Sequence, residues 1–210
     1  MYVPPMFEEK RAEVLHSWMR LAPLATVVVT TSSGLEANLV PLLVRVSDAG
    51  VRLVGHVARS NPVWKLGPRD EALGLFAGPQ GYITPSSYAS KREHGKVVPT
   101  WNYVAVHAHG ALRWVEDEAW LAELLEELTN EQEAGRAEPW RVSDAPAAFT
   151  AGLLRAIVGL EIQVTRLEGK LKLGQNRALA DRESAIAALH ARGDEVSVAL
   201  AAAMQAALDG

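Results

Sequence analysis

The stretch LATVVVTTSSGLEANLVPLLVRVSDAGVRLVGHV, residues 24–57, contains three runs rich in β-branched and aliphatic side chains. Ser32-Ser33-Gly34 separates the first two runs, and Ser47-Asp48-Ala49-Gly50 separates the second from the third. Such runs, divided by short turn sequences, are typical of antiparallel strands joined by hairpins. Pro41 lies inside the second run and cannot donate a ladder hydrogen bond, so we expect a sheet edge or a bulge there.

Three further segments predict strands: residues 71–78, 101–115 and 158–167. The sequence Gly78-Pro79-Gln80-Gly81 predicts a turn, and residues 82–100, which show no periodicity, predict a long surface loop. Apolar residues at helical spacing predict helices over 7–21 and 117–133. An alanine-rich tail from about residue 178 predicts two more helices that break at 191–194.

Six strands in succession, flanked by helices, indicate a mainly β fold rather than alternating β–α–β units. We expect a six-stranded antiparallel barrel with N-terminal and C-terminal helices. Residues 1–177 are expected to form this domain, with residues 178–210 as a helical pair packed on it.

The composition narrows the possible functions. The chain has no cysteine, which excludes disulfides, thiolate nucleophiles and cysteine-ligated metal sites. Its formal net charge of −4 gives the protein as a whole no attraction for nucleic acid, so DNA binding would require a local basic patch. Because neither a signal peptide nor a long apolar run is recognisable, we expect a cytoplasmic protein that does not bind membranes.

His107 and His109 lie two residues apart, which places both side chains and that of Tyr103 on one face of the predicted strand. The pair either holds a metal ion or belongs to a polar or interfacial sheet face. The second interpretation is favoured, because the spacing places no third ligand beside the pair and cysteine is absent. We therefore predict no metal site, and the role of the two histidines stays open.

The sequence GHVARSNP, residues 55–62, ends a predicted strand with a group of polar side chains. Arg59, Ser60 and Asn61 offer a guanidinium, a hydroxyl and an amide beside the backbone N–H groups of the strand end. This combination suits a phosphate, because Arg makes bidentate contacts and the amides add neutral donors. The alternative is a polar turn that only ends the strand before Pro62. We expect His56 to form a hydrogen bond here rather than to act in catalysis.

Motifs of the GxGxxG, P-loop and GxSxG kinds are absent. Three segments instead resemble signature blocks of the PaiB family of transcriptional regulators: GHVARSNPVW at 55–64, YITPSSYASKREHGKVVPTWNYVAVHAHG at 82–110 and EGKLKLGQNRALADRE at 168–183. The likeness extends over nearly the whole chain, with the blocks in the same order. This family is part of the FMN-binding split-barrel superfamily, which includes pyridoxamine phosphate oxidase.

The resemblance implies a six-stranded split barrel, a homodimer and an FMN site between the subunits. By position, Arg59, Ser60 and Asn61 would approach the flavin phosphate, with His56 at the same strand end. The other two blocks would supply residues that line and close the flavin site: Lys96, Thr100, Trp101, Asn102, Lys172, Gln175, Asn176 and Arg177. Relatives tend to carry Trp and Ser at the positions of Ser87 and Gly174, and both departures weaken the expected flavin site.

Three functions remain open from the sequence. The leading hypothesis is an FMN-binding negative regulator of transcription or ligand sensor, as the resemblance implies. The alternative is an FMN-dependent oxidoreductase of the same superfamily, in which the protein positions the flavin. The third is a split-barrel protein without a flavin that acts through protein contacts. Direct DNA contact is doubtful, because the last predicted helix, DEVSVALAAAMQAAL at 194–208, contains no Lys or Arg.

Overall fold

The computed structural model describes residues 1–66 and 71–209. Within these ranges, eight strands form a mainly antiparallel sheet accompanied by helices. The strands are β1 (Glu8–Glu9), β2 (Leu24–Thr31), β3 (Gly34–Pro41), β4 (Leu43–Ser47), β5 (Gly50–Ala58), β6 (Ala72–Ile83), β7 (Thr100–Val115) and β8 (Ile157–Lys172). The α-helices are α1 (Ala12–Leu21), α2 (Val63–Leu66), α3 (Ser90–Glu93), α4 (Glu118–Glu133), α5 (Ala147–Leu154), α6 (Leu179–Arg192) and α7 (Glu195–Asp209).

The strand order is β3-β2-β6-β7-β8-β5-β4, and β1 pairs with β8. All six predicted strands are present, and the mainly β fold class is confirmed. The second predicted strand is divided in two, because β3 ends at Pro41 and β4 begins at Leu43. Between them, the N–H of Leu42 donates to the carbonyl of Pro23 at 2.9 Å. The irregularity expected at Pro41 is therefore confirmed, and together with the short β1 it accounts for eight strands instead of six.

The turn predicted at residues 78–81 is wrong, because these residues lie inside β6. The two glycines of this segment allow close packing instead of a change in chain direction. A Cβ atom at Gly78 would lie 2.9 Å from Val104 Cβ, and one at Gly81 would lie 2.9 Å from Leu200 Cδ2. Close-packed interiors do not tolerate such separations, so these positions require residues without a Cβ atom.

The chain divides into two compact units. Unit 1 comprises Met1–Ala22, Phe76–His107 and Glu168–Gly210, and unit 2 comprises Pro23–Leu75 and Ala108–Leu167. Strands β6, β7 and β8 contribute residues to both units.

Unit 2 contains the hairpins predicted from residues 24–57 and the helix α4. One of its apolar clusters joins Leu43 and Val54 of the β4–β5 hairpin to Leu124 and Leu128 of α4. Helix α4 begins after Asp117, whose carboxylate accepts a hydrogen bond from the Trp120 N–H at 2.8 Å. Such a cap satisfies a backbone donor that the first helical turn leaves unpaired. The amphipathic stripe predicted over 117–133 thus packs against the hairpin.

Unit 1 contains the helices at both ends of the chain. Helices α6 and α7 meet at Gly193, which adopts a left-handed φ of +71°, and this confirms the break predicted at 191–194. Both helices contribute to one apolar core with strand and loop residues: Ile83, Tyr88, Val104, Leu173, Ala185, Ile186, Leu189, Leu200, Ala201, Ala203 and Met204. In the described ranges, no helix has both the length and the apolar character needed to cross a membrane.

Candidate functional site

The turn after β5 carries the residues that the sequence predicts to bind a phosphate, and it lies in unit 2. His56 lies near the end of β5 and is partly buried. Its Nδ1 atom has no hydrogen-bond partner among the described residues. Burial lowers the pKa of His56, so the imidazole is neutral at neutral pH. A neutral imidazole can either donate or accept a hydrogen bond, depending on its tautomer.

Arg59 is engaged within its own chain. Its Nε donates to the carbonyl of Arg155 at 2.8 Å, and its Nη2 donates to the carbonyl of Ile157 at 3.0 Å. Its Nη1 lies 2.6 Å from Glu116 Oε2, and the guanidinium is 5.7 Å from the ring centre of Trp64. Arg59 therefore holds the turn to the start of β8 and the residues just before it, and its role as a phosphate ligand stays a prediction.

Ser60 and Asn61 differ in what they contact. The Asn61 amide donates to Asn38 Oδ1 at 2.7 Å, while its Oδ1 accepts from the Val63 N–H at 3.0 Å. Asn61 thus shapes the turn and ties it to β3. The Ser60 hydroxyl forms no hydrogen bond with any residue that the structure describes. The hydroxyl is therefore the polar group of this turn that a ligand can reach without displacing a contact.

Along β7, the predicted ligands Trp101 and Asn102 point to opposite faces of the strand. Asn102 is 2% exposed, whereas Trp101 is 50% exposed. The Asn102 amide donates to Met204 Sδ at 3.4 Å, and its Oδ1 has no partner among the described residues. The two side chains point to opposite faces because successive strand residues alternate, and their roles at a flavin stay predictions.

The third block places Lys172 beside Thr100, with Lys172 Nζ donating to Thr100 Oγ1 at 2.7 Å. Gln175 closes its own turn, because it accepts from the Leu173 N–H at 2.8 Å and donates to the Leu171 carbonyl at 2.6 Å. Asn176 follows in that turn. Gly174 has a left-handed φ of +89°, a backbone conformation that favours glycine.

Lys96 lies in the loop between β6 and β7, and Arg177 contacts this loop. Lys96 is exposed, and its backbone N–H donates to His94 Nδ1 at 3.0 Å. The Arg177 guanidinium lies 4.8 Å from the ring centre of Tyr88 and 3.5 Å from the carbonyl of Val98. Arg177 thus contacts both ends of the loop, and its predicted role at a flavin remains untested.

Asp181 is a second tether of this loop, and the sequence reasoning missed it. The buried carboxylate accepts from the Ser90 N–H at 2.8 Å and from the Ser90 hydroxyl at 2.7 Å. Burial alone raises the pKa of Asp181, but the hydrogen bonds from Ser90 and the charge of Arg177 outweigh it and lower the pKa below its usual value. Asp181 is therefore ionised at neutral pH and holds the middle of the loop against α6.

His107 and His109 lie on the same face of β7 as Tyr103, as predicted. His107 belongs to unit 1, where its Nδ1 lies 3.9 Å from Glu168 Oε2. His109 belongs to unit 2, where its Nδ1 lies 3.8 Å from Glu71 Oε1. Each imidazole thus faces a carboxylate of its own unit.

A wide apolar groove of about 710 Å³ lies in unit 1 between the end of α1, β6 and α7. Its lining includes Trp18, Leu21 and alanines of α7, with Gln80 and Glu195 as polar members. Because the described residues of this lining include no Lys or Arg, the groove does not suit a phosphate group.

The family model described as "Putative FMN-binding domain" matches residues 1–166. The chain is 31% identical over 238 residues to the uncharacterized protein AN0679 of Emericella nidulans, which covers 96% of this chain and 95% of the relative. It is 34% identical over 185 residues to "Protease synthase and sporulation protein PAI 2" of Bacillus subtilis, which covers 86% of this chain and 85% of the relative.

Two solved structures share the fold. The flavocytochrome Anf3 from Azotobacter vinelandii aligns with a TM-score of 0.58 at 16% identity, covering 85% of this chain and 74% of that one. The FAD and heme binding protein from Mycobacterium smegmatis aligns with a TM-score of 0.58 at 17% identity, covering 85% of this chain and 79% of that one. These likenesses support the split-barrel fold class predicted from the sequence.

The Asp181 tether leads to a prediction about the loop that it holds. We expect Asp181→Ala to accelerate trypsin cleavage after Lys91, Arg92 or Lys96 by about ten- to a hundredfold, because two hydrogen bonds to a charged acceptor no longer oppose local opening. The control is Glu183→Ala, which removes an exposed carboxylate from the same helix. Equal cleavage rates in wild type and Asp181→Ala would show that the loop is held by other contacts.

Proposed function

The chain belongs to the FMN-binding domain family, and from this premise we propose that it is a flavin-binding split-barrel protein with FMN as its cofactor. When bound, FMN supplies redox chemistry, while the protein supplies binding and orientation. The observation that carries the proposal is the turn after β5, where a guanidinium, a hydroxyl without a described partner and a neutral imidazole follow one another closely in sequence.

This turn fits a phosphate through the donors that the chain does not use itself. The Ser60 hydroxyl is available, and Arg59 keeps N–H groups beyond the three that bind Arg155, Glu116 and Ile157. The buried Nδ1 of His56 is a polar atom for which a ligand can supply a partner. Glu116 is the unfavourable element, because its carboxylate competes with a phosphate for Arg59 and repels its charge.

The competition between Glu116 and a phosphate for Arg59 can be measured. We expect Arg59→Ala to weaken FMN binding by about ten- to a hundredfold, because a charge-assisted hydrogen bond contributes about 1.5 to 3 kcal/mol. Glu116→Gln should instead tighten binding by about two- to fivefold, since it removes an exposed ion pair and its repulsion while the Arg59 backbone contacts remain. FMN titration by fluorescence quenching measures all three affinities.

Arg136→Ala is the matched control, because the exposed side chain of Arg136 forms an ion pair with Glu133 three residues before it. Arg113 is unsuitable as a control, since its Nε lies 2.7 Å from the buried carboxylate of Glu161. Equal FMN affinity in wild type, Arg59→Ala and Glu116→Gln would exclude Arg59 as a phosphate ligand. No binding by wild type would favour a split-barrel protein without flavin.

We further propose that the chain forms a homodimer, and strand β3 supports this. The strand lies at one end of the sheet order, yet Leu35 and Leu39 on it are 75% and 68% exposed. Edge strands with exposed apolar side chains associate readily with other chains, which is why monomers avoid them. Because Asn38 of the same strand bonds to Asn61, an interface at β3 would adjoin the proposed phosphate turn.

We expect light scattering to give a mass near twice the 22.7 kDa of the chain at micromolar concentration. Leu39→Lys should raise the dimer dissociation constant at least about tenfold, since it places a charge in a buried apolar contact. The control is Val46→Lys on β4, an exposed apolar residue at the other end of the sheet order. A monomeric wild type, or equal dissociation constants for the two variants, would overturn the proposed interface.

The finer proposal is a PaiB-type negative regulator of transcription, or ligand sensor. Its support is the identity with the Bacillus subtilis protein whose name refers to protease synthase and sporulation. A direct DNA contact through the last helix is not part of the proposal. Helix α7 contains no Lys or Arg, and it packs Leu200, Ala201 and Met204 in the core of unit 1.

NAD(P)H consumption separates this regulator from an FMN-dependent oxidoreductase, and a gel-shift series tests for direct DNA contact. We expect the purified protein to show no nanomolar DNA binding in a gel-shift series at about 150 mM salt. Binding to DNA depends on the neutralisation of phosphates by Lys and Arg, and the chain has a formal net charge of −4. We also expect the FMN-loaded protein not to consume NADH or NADPH. Sustained NAD(P)H consumption would replace the regulator with the oxidoreductase, and nanomolar DNA binding would reveal a basic groove, for which Lys91, Arg92 and Lys96 are the candidates.

A further inference from the structure

A second, smaller groove of about 380 Å³ lies in unit 1, between the end of β6, the start of β7 and the junction of α6 and α7. Its walls include Tyr82 and Trp101, and its rim includes Arg192 and Asp194. Arg192 and Tyr82 are not among the residues that the family resemblance implies for FMN. The volume is at the lower end of the range of about 300 to 1,000 Å³ that is usual for small-molecule sites.

The aromatic wall is held in place but remains open to solvent. The Trp101 Nε1 donates to Gln80 Oε1 at 3.0 Å, which fixes the orientation of the indole. The ring centres of Tyr82 and Trp101 are 6.2 Å apart at an interplanar angle of 57°. The two residues are 47% and 50% exposed, so the groove presents two large rings to a flat ligand.

The polar rim offers hydrogen-bond donors and few acceptors. Both carboxylate oxygens of Asp194 are engaged, because they accept from the Ser197 N–H at 2.9 Å and the Ser197 hydroxyl at 2.7 Å. The Nε of Arg192 lies 3.3 Å from Asp194, whereas its Nη atoms form no hydrogen bond with the residues that the structure describes. Terminal guanidinium N–H groups of this kind recognise a planar carboxylate.

We propose that this groove binds a small aromatic carboxylate, with its ring against Tyr82 and Trp101 and its carboxylate on Arg192. The occupant follows from the Nη donors of Arg192 and from the flat shape that two exposed rings favour, while the carboxylate of Asp194 beside Arg192 is the unfavourable element. The proposal does not depend on FMN binding. Because the resemblance also assigns Trp101 to the flavin, the test relies on Tyr82 and Arg192.

The probe is 2-naphthoate, compared with its neutral analogue 2-naphthamide, and calorimetric titration measures both. We expect saturable binding of 2-naphthoate to the wild-type protein at one site per chain. Arg192→Gln should weaken 2-naphthoate binding by about ten- to a hundredfold and change 2-naphthamide binding less than about twofold. Tyr82→Leu should weaken both probes, and the control Arg136→Gln should change neither.

Arg192→Gln should leave the affinity for FMN unchanged, so failure of this site and failure of the flavin proposal give different results. Absence of saturable 2-naphthoate binding to wild type would overturn the inference, as would an equal affinity in Arg192→Gln. If Tyr82→Leu and Arg192→Gln instead convert a dimer into monomers while wild type binds neither probe, the groove is covered by a second copy of the chain. That result also overturns the inference.

Discussion

The alternation of side chains along β7 is the constraint on which the arrangement of candidate ligands depends. From Asn102 to Leu112, every second residue of this strand is buried. The residues between them are therefore forced to the other face, where Trp101, Tyr103, His107 and His109 are partly or largely exposed. Large rings with polar atoms suit this intermediate position, because they cover apolar surface while their nitrogen and oxygen atoms stay within reach of partners.

The sequence predicts much of the fold because the signals that define it are local. The hairpins over residues 24–57 follow from β-branched runs and turn residues that lie next to one another, and the break between α6 and α7 follows from a single glycine. The segment 78–81 shows the limit of such reasoning. Glycine and proline usually mark turns. Here Gly78 and Gly81 are glycines because Val104 and Leu200, which lie far away in sequence, pack closely against them.

The candidate site is predictable only in part, for the same reason. The sequence shows that Arg59 places a guanidinium at a strand end. It does not show the partners Glu116 and Ile157, which are 57 and 98 residues away. The tether between Ser90 and Asp181 spans 91 residues and carries no local signature. Residue type thus indicates which chemistry a segment can perform, whereas the long-range contacts decide how much of that capacity the fold already uses.

Two of the buried polar atoms without a described hydrogen-bond partner lie in segments predicted to bind a ligand. His56 Nδ1 in unit 2 and Asn102 Oδ1 in unit 1 are buried without a described hydrogen-bond partner. Each such atom destabilises a folded protein by about 1 to 3 kcal/mol, and natural structures keep few of them. Both residues belong to segments that the family resemblance assigns to the flavin site. A ligand that hydrogen-bonds to either atom would bind more tightly, because the protein would gain a hydrogen bond without first losing one.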